Sequence, residues 1–467
     1  MVIPPAAPMV AWRRPLKFAG SAKGYSMNKH LTGMMAGALA AILVLLPACG
    51  GGGGGGGSAG GGAGLSAAPP VKVIVTGPNA VTYWNEVASN TANLPATATG
   101  SPAEQRPSDA VDLAVVHLAI YNALAAITGQ YQPYGGLAQV VSGAVVSQQA
   151  AIAAAAHGVL KGMFPNRSAQ YQAAYDSFLA SLPDDAAKSE GIAVGAGAAS
   201  AMLALRGDDG RSVALAPYVP GTEPGRFRGV NPVNRNLPFI KPFAMTSASQ
   251  FRAPAPPALD SEVYAIDFNE TRLLGAAVGS ARTDAQTEIA RFYTEAPLRY
   301  WQRNLRRFAM SGASLVDQAR LLAMLFLVEA DAGIACFESK YHYEFWRPQS
   351  AIPLAGTDAN PATTPDAAWT PVVPTPNHPE YPAAHGCITA AMAETLKTYY
   401  RTDQVEFTLD STVTGTTRQF MSTQAMVNEV CDARVYGGMH FRNSTLRGAE
   451  LGTSVARWAL QRNFLAR

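Results

Sequence analysis

One long apolar segment limits what this chain can fold into. Residues 315–337 are almost continuously apolar, but five polar residues interrupt them: Asp317, Gln318, Arg320, Glu329 and Asp331. Charges at these positions make the segment a poor membrane span and a good buried helix. The chain has 467 residues, of which 48% are hydrophobic. That length is sufficient to enclose such a helix in a large core.

Further helices are predicted around this segment. Alanine-rich runs dominate the sequence, β-branched alternation is scarce, and apolar residues recur at three- and four-residue spacing. The fold class is therefore predicted to be all-α, with short extended pieces only at 71–75 and 405–413. The other helices are predicted near 83, at 111–127, 144–163, 169–182, 186–205, 261–274, 283–292, 388–400, 423–434 and 441–460.

The segment 207–257 is different in character. It is rich in proline, glycine and asparagine and shows no sustained period. It is too apolar to be disordered throughout, and long ordered loops of this kind often line or cover a site. We therefore expect it to lie over the functional site.

The N-terminal part has the composition of a targeting segment. Residues 1–26 show no pattern and are interpreted as an upstream extension. Residues 27–49 contain a short basic region, an apolar run over 33–46, and Cys49 followed by glycines. This order predicts a bacterial lipoprotein signal with lipidation of Cys49; a plain secretory signal and an uncleaved anchor are the alternatives. An exported protein, periplasmic or at the cell surface, is the expectation.

The glycine-rich residues 50–70 predict a flexible linker, and 71–467 are predicted to form a single helical domain. The formal net charge is only +3, and no basic patch or zinc-finger spacing indicates nucleic acid. Three cysteines follow Cys49, namely Cys336, Cys387 and Cys431. At most one disulfide can join them, and buried packing is favoured over a redox or metal role.

Three short clusters within 337–444 carry the chemistry. In the first, Lys340 and Arg347 are seven residues apart, which on a helix places them on one face two turns apart. Pro348 predicts that the helix ends near Arg347. A lysine and a guanidinium so placed can hold one anion from two sides. A plain surface pair between Lys340 and Glu344 is the alternative.

The second cluster is Pro382-Ala383-Ala384-His385-Gly386 before a helical run. Proline is favoured in a first helical turn, so the amides of Ala383, Ala384 and His385 are expected to be free to bind an oxyanion. His385 can exchange protons there. A histidine that caps its own helix is the alternative.

In the third cluster, Arg434 and His440 flank Gly437-Gly438. A turn at the glycines would aim both side chains at one site. Together the clusters predict a positive pocket for a tetrahedral, phosphate-like anion, with a histidine reaching its central atom. A zinc site of His378, His385 and His440 is the competing interpretation, but it leaves the arginines unexplained.

In this order the clusters resemble the superfamily that joins vanadium-dependent haloperoxidases with type 2 phosphatidic acid phosphatases. Its pattern is lysine, six residues and arginine-proline; then proline-serine-glycine-histidine; then serine-arginine, five residues, histidine, three residues and aspartate. Residues 115–123, the helix of His157 and residues 250–254 are similar to the soluble haloperoxidase branch. The resemblance covers roughly 80–467 and implies a large helical bundle.

This sequence departs from the family pattern at four positions. Ala383 and Ala384 replace the serine and glycine, which removes a hydroxyl contact to the anion. Ala433 replaces the serine before the arginine, and Ser444 replaces the aspartate four residues after the histidine. If that aspartate orients its neighbours, Ser444 is expected to do so less well.

The resemblance implies an enzyme that oxidises halide with hydrogen peroxide to hypohalous acid, which then reacts with a small organic acceptor. His440 would bind the vanadate cofactor through its ring nitrogen, and His385 would serve as acid and base. The oxygens of vanadate, or of phosphate in the same place, would be held by Lys340, Arg347, Arg434 and the Ala383–Ala384 amides. His378 and Phe337 are expected to line the halide pocket. An acid phosphatase with a phosphohistidine at His440, and a lipoprotein whose site has decayed, are the alternatives.

Overall fold

Helices dominate the part of the chain that the computed structural model describes, which is residues 70–92, 109–136, 145–310 and 312–467. The predicted all-α class is confirmed. The α-helices of these residues are α1 Ala80–Ala92, α2 Asp109–Thr128, α3 Gln148–Met163, α4 Ser168–Ala180, α5 Ala186–Arg206, α6 Glu262–Gly275, α7 Asp284–Phe292, α8 Pro297–Ala309, α9 Leu315–Tyr343, α10 Pro348–Ala351, α11 Ala384–Tyr400, α12 Thr423–Tyr436 and α13 Arg442–Leu460.

The predicted core helix is α9, and it lies at the centre of the fold. Its 29 residues make a rod about 43 Å long. It packs on one side against α2 and on the other against α11 and α13. Residues 315–337 are nearly all buried, including Glu329 and Asp331. The helix therefore separates an N-terminal group, α1 to α5, from a C-terminal group, α11 to α13.

The C-terminal end of α9 differs from the expectation. The helix ends at Tyr343, where Glu344 takes a left-handed conformation with φ 47°. The next residues are extended and pair with the long loop 207–261. The Trp346 amide donates to the carbonyl of Gly225 at 2.9 Å. Lys340 and Arg347 consequently do not share one helical face. Lys340 lies in the last turn of α9, whereas Arg347 is extended and precedes α10.

Helices α11 and α13 touch backbone to backbone. A Cβ atom on Gly452 would lie 1.9 Å from the carbonyl oxygen of Cys387, and one on Gly448 would lie 2.5 Å from that of Ala383. From the other side, a Cβ on Gly386 would lie 2.5 Å from the carbonyl oxygen of Thr445. Side chains cannot fit between these helices, so their relative position is fixed closely.

A small sheet lies beside the bundle. It consists of β1 Val71–Lys72, β2 Val405–Asp410 and β3 Thr417–Phe420, in the order β1-β2-β3. β1 is parallel to β2 and pairs Val71 with Val405, and β3 is antiparallel to β2. The two predicted extended pieces are thus the first two strands, whereas β3 was not predicted.

Helix α8 was also not predicted. Its buried face contains Tyr300, Trp301, Leu305 and Phe308, and its other face contains four arginines. This spacing of apolar residues is that of an amphipathic helix. The many charges between the aromatic residues obscured the period.

One described helix, α2, is long and apolar enough to cross a membrane. Its apolar 18-residue stretch is 94% buried in the protein. Core helices meet the same criterion, and α2 packs against α9, α3 and α5. The predicted extension 1–26, the signal segment 27–49 with Cys49, and all but the last residue of the linker 50–70 lie outside the described residues. They remain predictions.

The long loop 207–261 is irregular, as predicted, apart from one short 3-10 turn at Leu237–Phe239. It lies against the proline-rich loop 352–383. Val233 donates to the carbonyl of Asn377 at 3.0 Å, and the Asn377 amide donates to the carbonyl of Val230 at 2.8 Å. These two loops cover the C-terminal end of α9 and the beginning of α11.

Candidate anion-binding site

A cavity of about 340 Å³ opens beneath these two loops. Much of the cavity wall is apolar and includes Leu298, Pro376 and Ile388. A larger surface groove of about 740 Å³ lies between α11, α12 and α13 but contains none of the predicted site residues. The predicted residues that line the smaller cavity are Phe337, His378, Ala384, His385, Arg434 and His440.

Arg347 is buried directly behind this cavity and joins two of its histidines. Its Nη1 donates to Nε2 of His440 at 2.9 Å and to the carbonyl of Met439 at 2.8 Å. Its Nη2 lies 3.0 Å from Nδ1 of His378, and its Nε donates to the His378 carbonyl at 2.9 Å. Burial lowers the pKa of Arg347 to about 10, although Glu380 opposes the shift. The guanidinium is thus held rigidly against His440.

His440 is oriented by a residue that the sequence analysis missed, Glu380. Its Nδ1 lies 2.9 Å from Oε1 of Glu380, and the same oxygen accepts from the Phe441 amide at 3.0 Å. Arg347 can only donate, so the lone pair of His440 is on Nε2 and the proton is on Nδ1, which lies against Glu380. Burial lowers the pKa of His440 well below its usual value, and Arg347 and Lys340 lower it further. His440 is therefore a neutral imidazole with its nucleophilic nitrogen toward Arg347 and the cavity.

Glu380 is fully buried and lies two residues before Pro382 in the proline-rich loop. Burial raises its pKa to about 7, against the opposing effect of Arg347 and Lys340. The one sequence feature that indicated a need for such a carboxylate was Ser444, which stands where the pattern that the sequence resembles has an aspartate. Ser444 is buried. Its hydroxyl donates to the Glu380 carbonyl at 3.4 Å, and a hydrogen bond from Ser444 lowers the pKa of the Glu380 carboxyl. The carboxylate that supports His440 thus comes from the loop before α11 instead of from α13.

The first turn of α11 presents His385 and free amides. The amides of Ala384, His385 and Gly386 have no acceptor among the described residues, as expected for a helix N-terminus without a capping side chain. Ala383 differs from the expectation, because its amide donates to the carbonyl of Ser444 at 3.0 Å. Ala383 is the N-cap residue of α11. Pro382, which follows a cis peptide bond, therefore precedes the helix and is not in the first turn.

His385 is neutral and has a defined tautomer. Its Nε2 donates to the carbonyl of Glu295 at 2.9 Å, which leaves the lone pair on Nδ1. Burial lowers its pKa well below the usual value, and Arg434 adds to the effect. An unprotonated nitrogen of this kind can accept a proton from a bound ligand.

Arg434 reaches the same cavity from the end of α12. Its Nη1 donates to the carbonyl of Tyr293, its Nη2 lies 2.8 Å from Sδ of Met439, and its Nε has no partner among the described residues. Burial lowers its pKa to about 9, and Arg347 contributes. Gly438, with φ 72°, makes the turn that leads from Arg434 to His440. No L side chain fits there, since a Cβ would lie 2.6 Å from the Gly275 carbonyl oxygen.

Lys340 does not line the cavity. Its Nζ donates to the carbonyls of Pro379 and Glu380 at 2.8 and 2.9 Å. Burial lowers its pKa to about 8. The surface pair with Glu344 does not form, because Glu344 pairs with Arg226. Lys340 therefore supports the loop of Glu380 and adds positive charge behind the site.

The donor set fits a tetrahedral oxyanion. Lys340, Arg347 and Arg434 are all buried, and Glu380 is the described carboxylate that faces them. Buried cations in excess are costly unless an anion compensates them. The unpartnered Nε of Arg434 and the free amides of α11 point to the oxygens of such an anion. Vanadate or phosphate has the required shape and charge. Among the described residues no group of three His, Cys, Asp or Glu side chains is arranged to hold a metal cation.

Comparisons with known proteins identify a family model and solved structures that are similar to this chain. Residues 320–465 match the family model described as the VCPO second helical-bundle domain. The fold is similar to that of a bacterial vanadium-dependent iodoperoxidase, with a TM-score of 0.67 and 19% identity over 84% of this chain and 99% of that one. It is also similar to a bacterial vanadium-dependent chloroperoxidase in its holo form, with a TM-score of 0.63 and 17% identity over 83% of this chain and 98% of that one.

No sequence among curated proteins matches the chain. The apo form of the bacterial chloroperoxidase gives a TM-score of 0.61 at 17% identity, over 75% of this chain and 92% of that one. The matched segment 320–465 contains α11, α12, α13 and nearly all of α9, and with them every residue of the anion site. The chain therefore has the fold of the vanadium-dependent haloperoxidases, and its residues 320–465 match the model of the VCPO second helical-bundle domain.

Proposed function

We propose that this protein is a vanadate-dependent haloperoxidase that uses hydrogen peroxide to oxidise halide to hypohalous acid. The observation that carries the proposal is the environment of His440. Glu380 lies on Nδ1 of the ring, so the lone pair is on Nε2. This nitrogen lies among buried cations, and Glu380 is the one described carboxylate that compensates their charge. A neutral imidazole of this kind is suited to bond the central atom of a bound oxyanion.

The position of each residue indicates whether it would bind the anion or transfer a proton. Arg347, Arg434 and the free amides of α11 would hold the vanadate oxygens, and His440 would bond the vanadium. The bound vanadate would supply Lewis acidity that activates peroxide toward halide without a change of metal oxidation state. His385 would accept a proton at Nδ1 and return it, because its Nε2 is committed to the Glu295 carbonyl. Apolar walls at Leu298 and Ile388 would exclude bulk water.

Halide and the organic acceptor would enter through the apolar part of the cavity beneath the two covering loops. The rings of Phe337 and His378 lie 5.2 Å apart, centroid to centroid, on one wall of the cavity. His378 also lies against Arg347, so a halide at this wall would be close to a cation. Val233 and Pro376 line the same cavity and come from the two covering loops. A small apolar acceptor matches this lining better than a charged one.

The test is halogenation by purified protein. Protein reconstituted with vanadate should brominate or iodinate a phenolic dye in the presence of peroxide, and protein without vanadate should not. His440→Ala should lose this activity while keeping its helical circular dichroism. Conversion of the dye by the variant at the wild-type rate would refute the assignment of His440. If wild-type protein loaded with vanadate failed to act on iodide, bromide and chloride, the proposed function would be wrong.

A phosphatase is the second candidate, since phosphate has the same shape and His440 offers the same nucleophilic nitrogen. This reaction also requires His385 to protonate the leaving group. The lowered pKa of His385 leaves it unprotonated at neutral pH, which favours the first candidate. Rapid hydrolysis of p-nitrophenyl phosphate, inhibited by vanadate and absent in His440→Ala, would reverse this order.

A decayed site is the third candidate, motivated by Ala383, Ala384 and Ser444. Calorimetric titration of wild type and His440→Ala with vanadate and with phosphate distinguishes it from the other two. Equal affinities in the two proteins would mean that His440 has no role in an anion site. A large loss in the variant, with no turnover in wild type, would indicate binding without catalysis.

We further propose that the protein is exported and tethered by lipid at Cys49. The support is the apolar run 33–46, followed by Cys49 and the glycine-rich linker. Expression in a bacterial host with labelled palmitate should label the wild type and not Cys49→Ser. Release of both proteins in unlabelled, soluble form would favour a plain secretory signal.

A further inference from the structure

Two buried cysteines from different helices lie in direct contact. Cys336 is on α9 and Cys387 is on α11, and both are fully buried. Their Sγ atoms are 2.6 Å apart. A disulfide bond measures about 2.05 Å, so closure would require a shift of about half an ångström. The sequence favoured buried packing for all three cysteines, and all three are buried and free in the structure.

The pair is asymmetric. Cys336 lines the cavity of the anion site, whereas Cys387 does not. The Cys387 thiol donates its hydrogen bond to the sulfur of Cys336. Burial raises the pKa of Cys336, but this bond and the charges of Lys340 and Arg347 outweigh it, and the net shift is downward. The sulfur that faces the cavity is thus the more nucleophilic of the two.

We propose that Cys336 and Cys387 form a peroxide-sensitive dithiol that closes to a disulfide between α9 and α11. The Cys336 sulfur would attack hydrogen peroxide, break the O–O bond and become a sulfenic acid, with one water released. The Cys387 sulfur would then attack the sulfenic sulfur and release a second water. In total, two thiols and one peroxide give one disulfide and two waters. The inference rests on the proposed function only in that the same cavity would admit peroxide.

The link would join the two helices that form the anion site. Cys336 is one turn before Lys340 on α9, and Cys387 is two residues after His385 on α11. A covalent bond between them would hold the cationic end of α9 against the first turn of α11. The oxidised protein should therefore resist denaturant better than the reduced protein. Oxidation would stabilise the site under the conditions in which a peroxide-using enzyme works.

The experiment uses the full chain, purified with reductant and then freed of it. The protein is treated with hydrogen peroxide without vanadate or halide, denatured in acid, and labelled with N-ethylmaleimide. Of the three thiols at Cys336, Cys387 and Cys431, two should no longer take up label. Trypsin cuts after Lys340, so the peptides of Cys336 and Cys387 should run as one linked species that reductant separates.

Matched variants identify the partners. Cys431→Ser should still form the link, because Cys431 contacts the Thr445 carbonyl instead of the pair. Cys336→Ser should retain every remaining thiol, whereas Cys387→Ser should form no link and should carry a sulfenic acid at Cys336 that dimedone traps. The inference is overturned if peroxide leaves both thiols of wild-type protein free to react, or if it yields sulfinic acid without a link. Because no vanadate is present, a failure to halogenate and a failure to crosslink are separate outcomes.

Discussion

Oε1 of Glu380 lies 2.9 Å from Nδ1 of His440, and neither side chain is open to solvent. The two residues are 60 positions apart in sequence. The contact favours the tautomer of His440 with its lone pair on Nε2, where Arg347 donates to it and where a ligand would bond in place of that donor. The contact also gives His440 a carboxylate partner, although Ser444 stands where the motif that the sequence resembles has an aspartate.

Glu380→Gln should weaken vanadate binding and halide oxidation by about 10- to 100-fold, because a neutral amide cannot raise the basicity of His440 as a carboxylate does. Calorimetric titration with vanadate and the initial rate of dye bromination measure the two effects. Glu394→Gln is the matched control. Glu394 pairs with Arg457 near the surface and contacts no group of the anion site, so both quantities should change by less than about twofold. Equal losses in the two variants would contradict the role of Glu380.

His385→Gln should retain vanadate binding and lose turnover. His385 contributes a proton-accepting Nδ1, whereas the amides of its helix turn are backbone groups that survive the substitution. General acid–base groups commonly contribute about 10²- to 10⁴-fold in rate. The expected result is a fall of that size in kcat with a vanadate Kd within a few-fold of wild type. Loss of binding in proportion to rate would place His385 in the binding set instead.

Gly452→Ala should destabilise the fold and the site together. Its Cβ would lie 1.9 Å from the Cys387 carbonyl oxygen, so α11 and α13 would have to separate. We expect a loss of at least about 2 kcal/mol in the free energy of unfolding, measured with urea, and weaker vanadate binding. Gly197→Ala on α5 is the control. A Cβ there meets nothing within 4 Å, and removing a helical glycine should add about 0.5–1 kcal/mol. Equal stability of the two variants would argue against the close contact.

His117 should make the protein sensitive to acid. It is buried, stacks on Phe326 and accepts from the Asn85 amide at 2.9 Å, and burial lowers its pKa to about 3. In the unfolded chain a histidine titrates near ~6.5. Between these values the unfolded state binds the extra proton, so the free energy of unfolding falls as the pH falls, by up to about 1.4 kcal/mol per unit.

The check is urea unfolding of wild type and His117→Gln at pH 7.5 and pH 5.0. Wild type should lose about 2 kcal/mol more than the variant between these two values. The other buried histidines are present in both proteins and cancel in the comparison. The same pH dependence in both proteins would mean that His117 titrates normally in the folded state.

The periodic features of the sequence predicted the fold well. The run 315–337 became the centre of α9, and the second and third clusters met at one cavity through His385, Arg434 and His440, with Arg347 of the first cluster behind it. Local spacing was sufficient there, because helical period and glycine turns are local properties. The end of α9 was misplaced because it is set by pairing with the distant Gly225.

The missed residue shows where sequence reasoning stops. Glu380 belongs to no local motif, and its role depends on a fold that brings it to His440. Likewise, Lys340 was expected on the anion, but two carbonyls of the loop that carries Glu380 take its ammonium group. Both cases concern an irregular loop, whose path no residue period specifies.

The two loops that cover the cavity are tied to one another by Asn377, Val230 and Val233, and the floor beneath them is made by helix ends. Val233 and Asn234 of the long loop line the cavity, whereas Gly225 and Phe227 pair with the end of α9 beside Arg347. Changes at Val233 and Asn234 can therefore alter which acceptors are admitted without moving His440 or Arg434. For protein engineering, acceptor range in this scaffold should be adjustable at the loops, while the helix ends keep the anion chemistry.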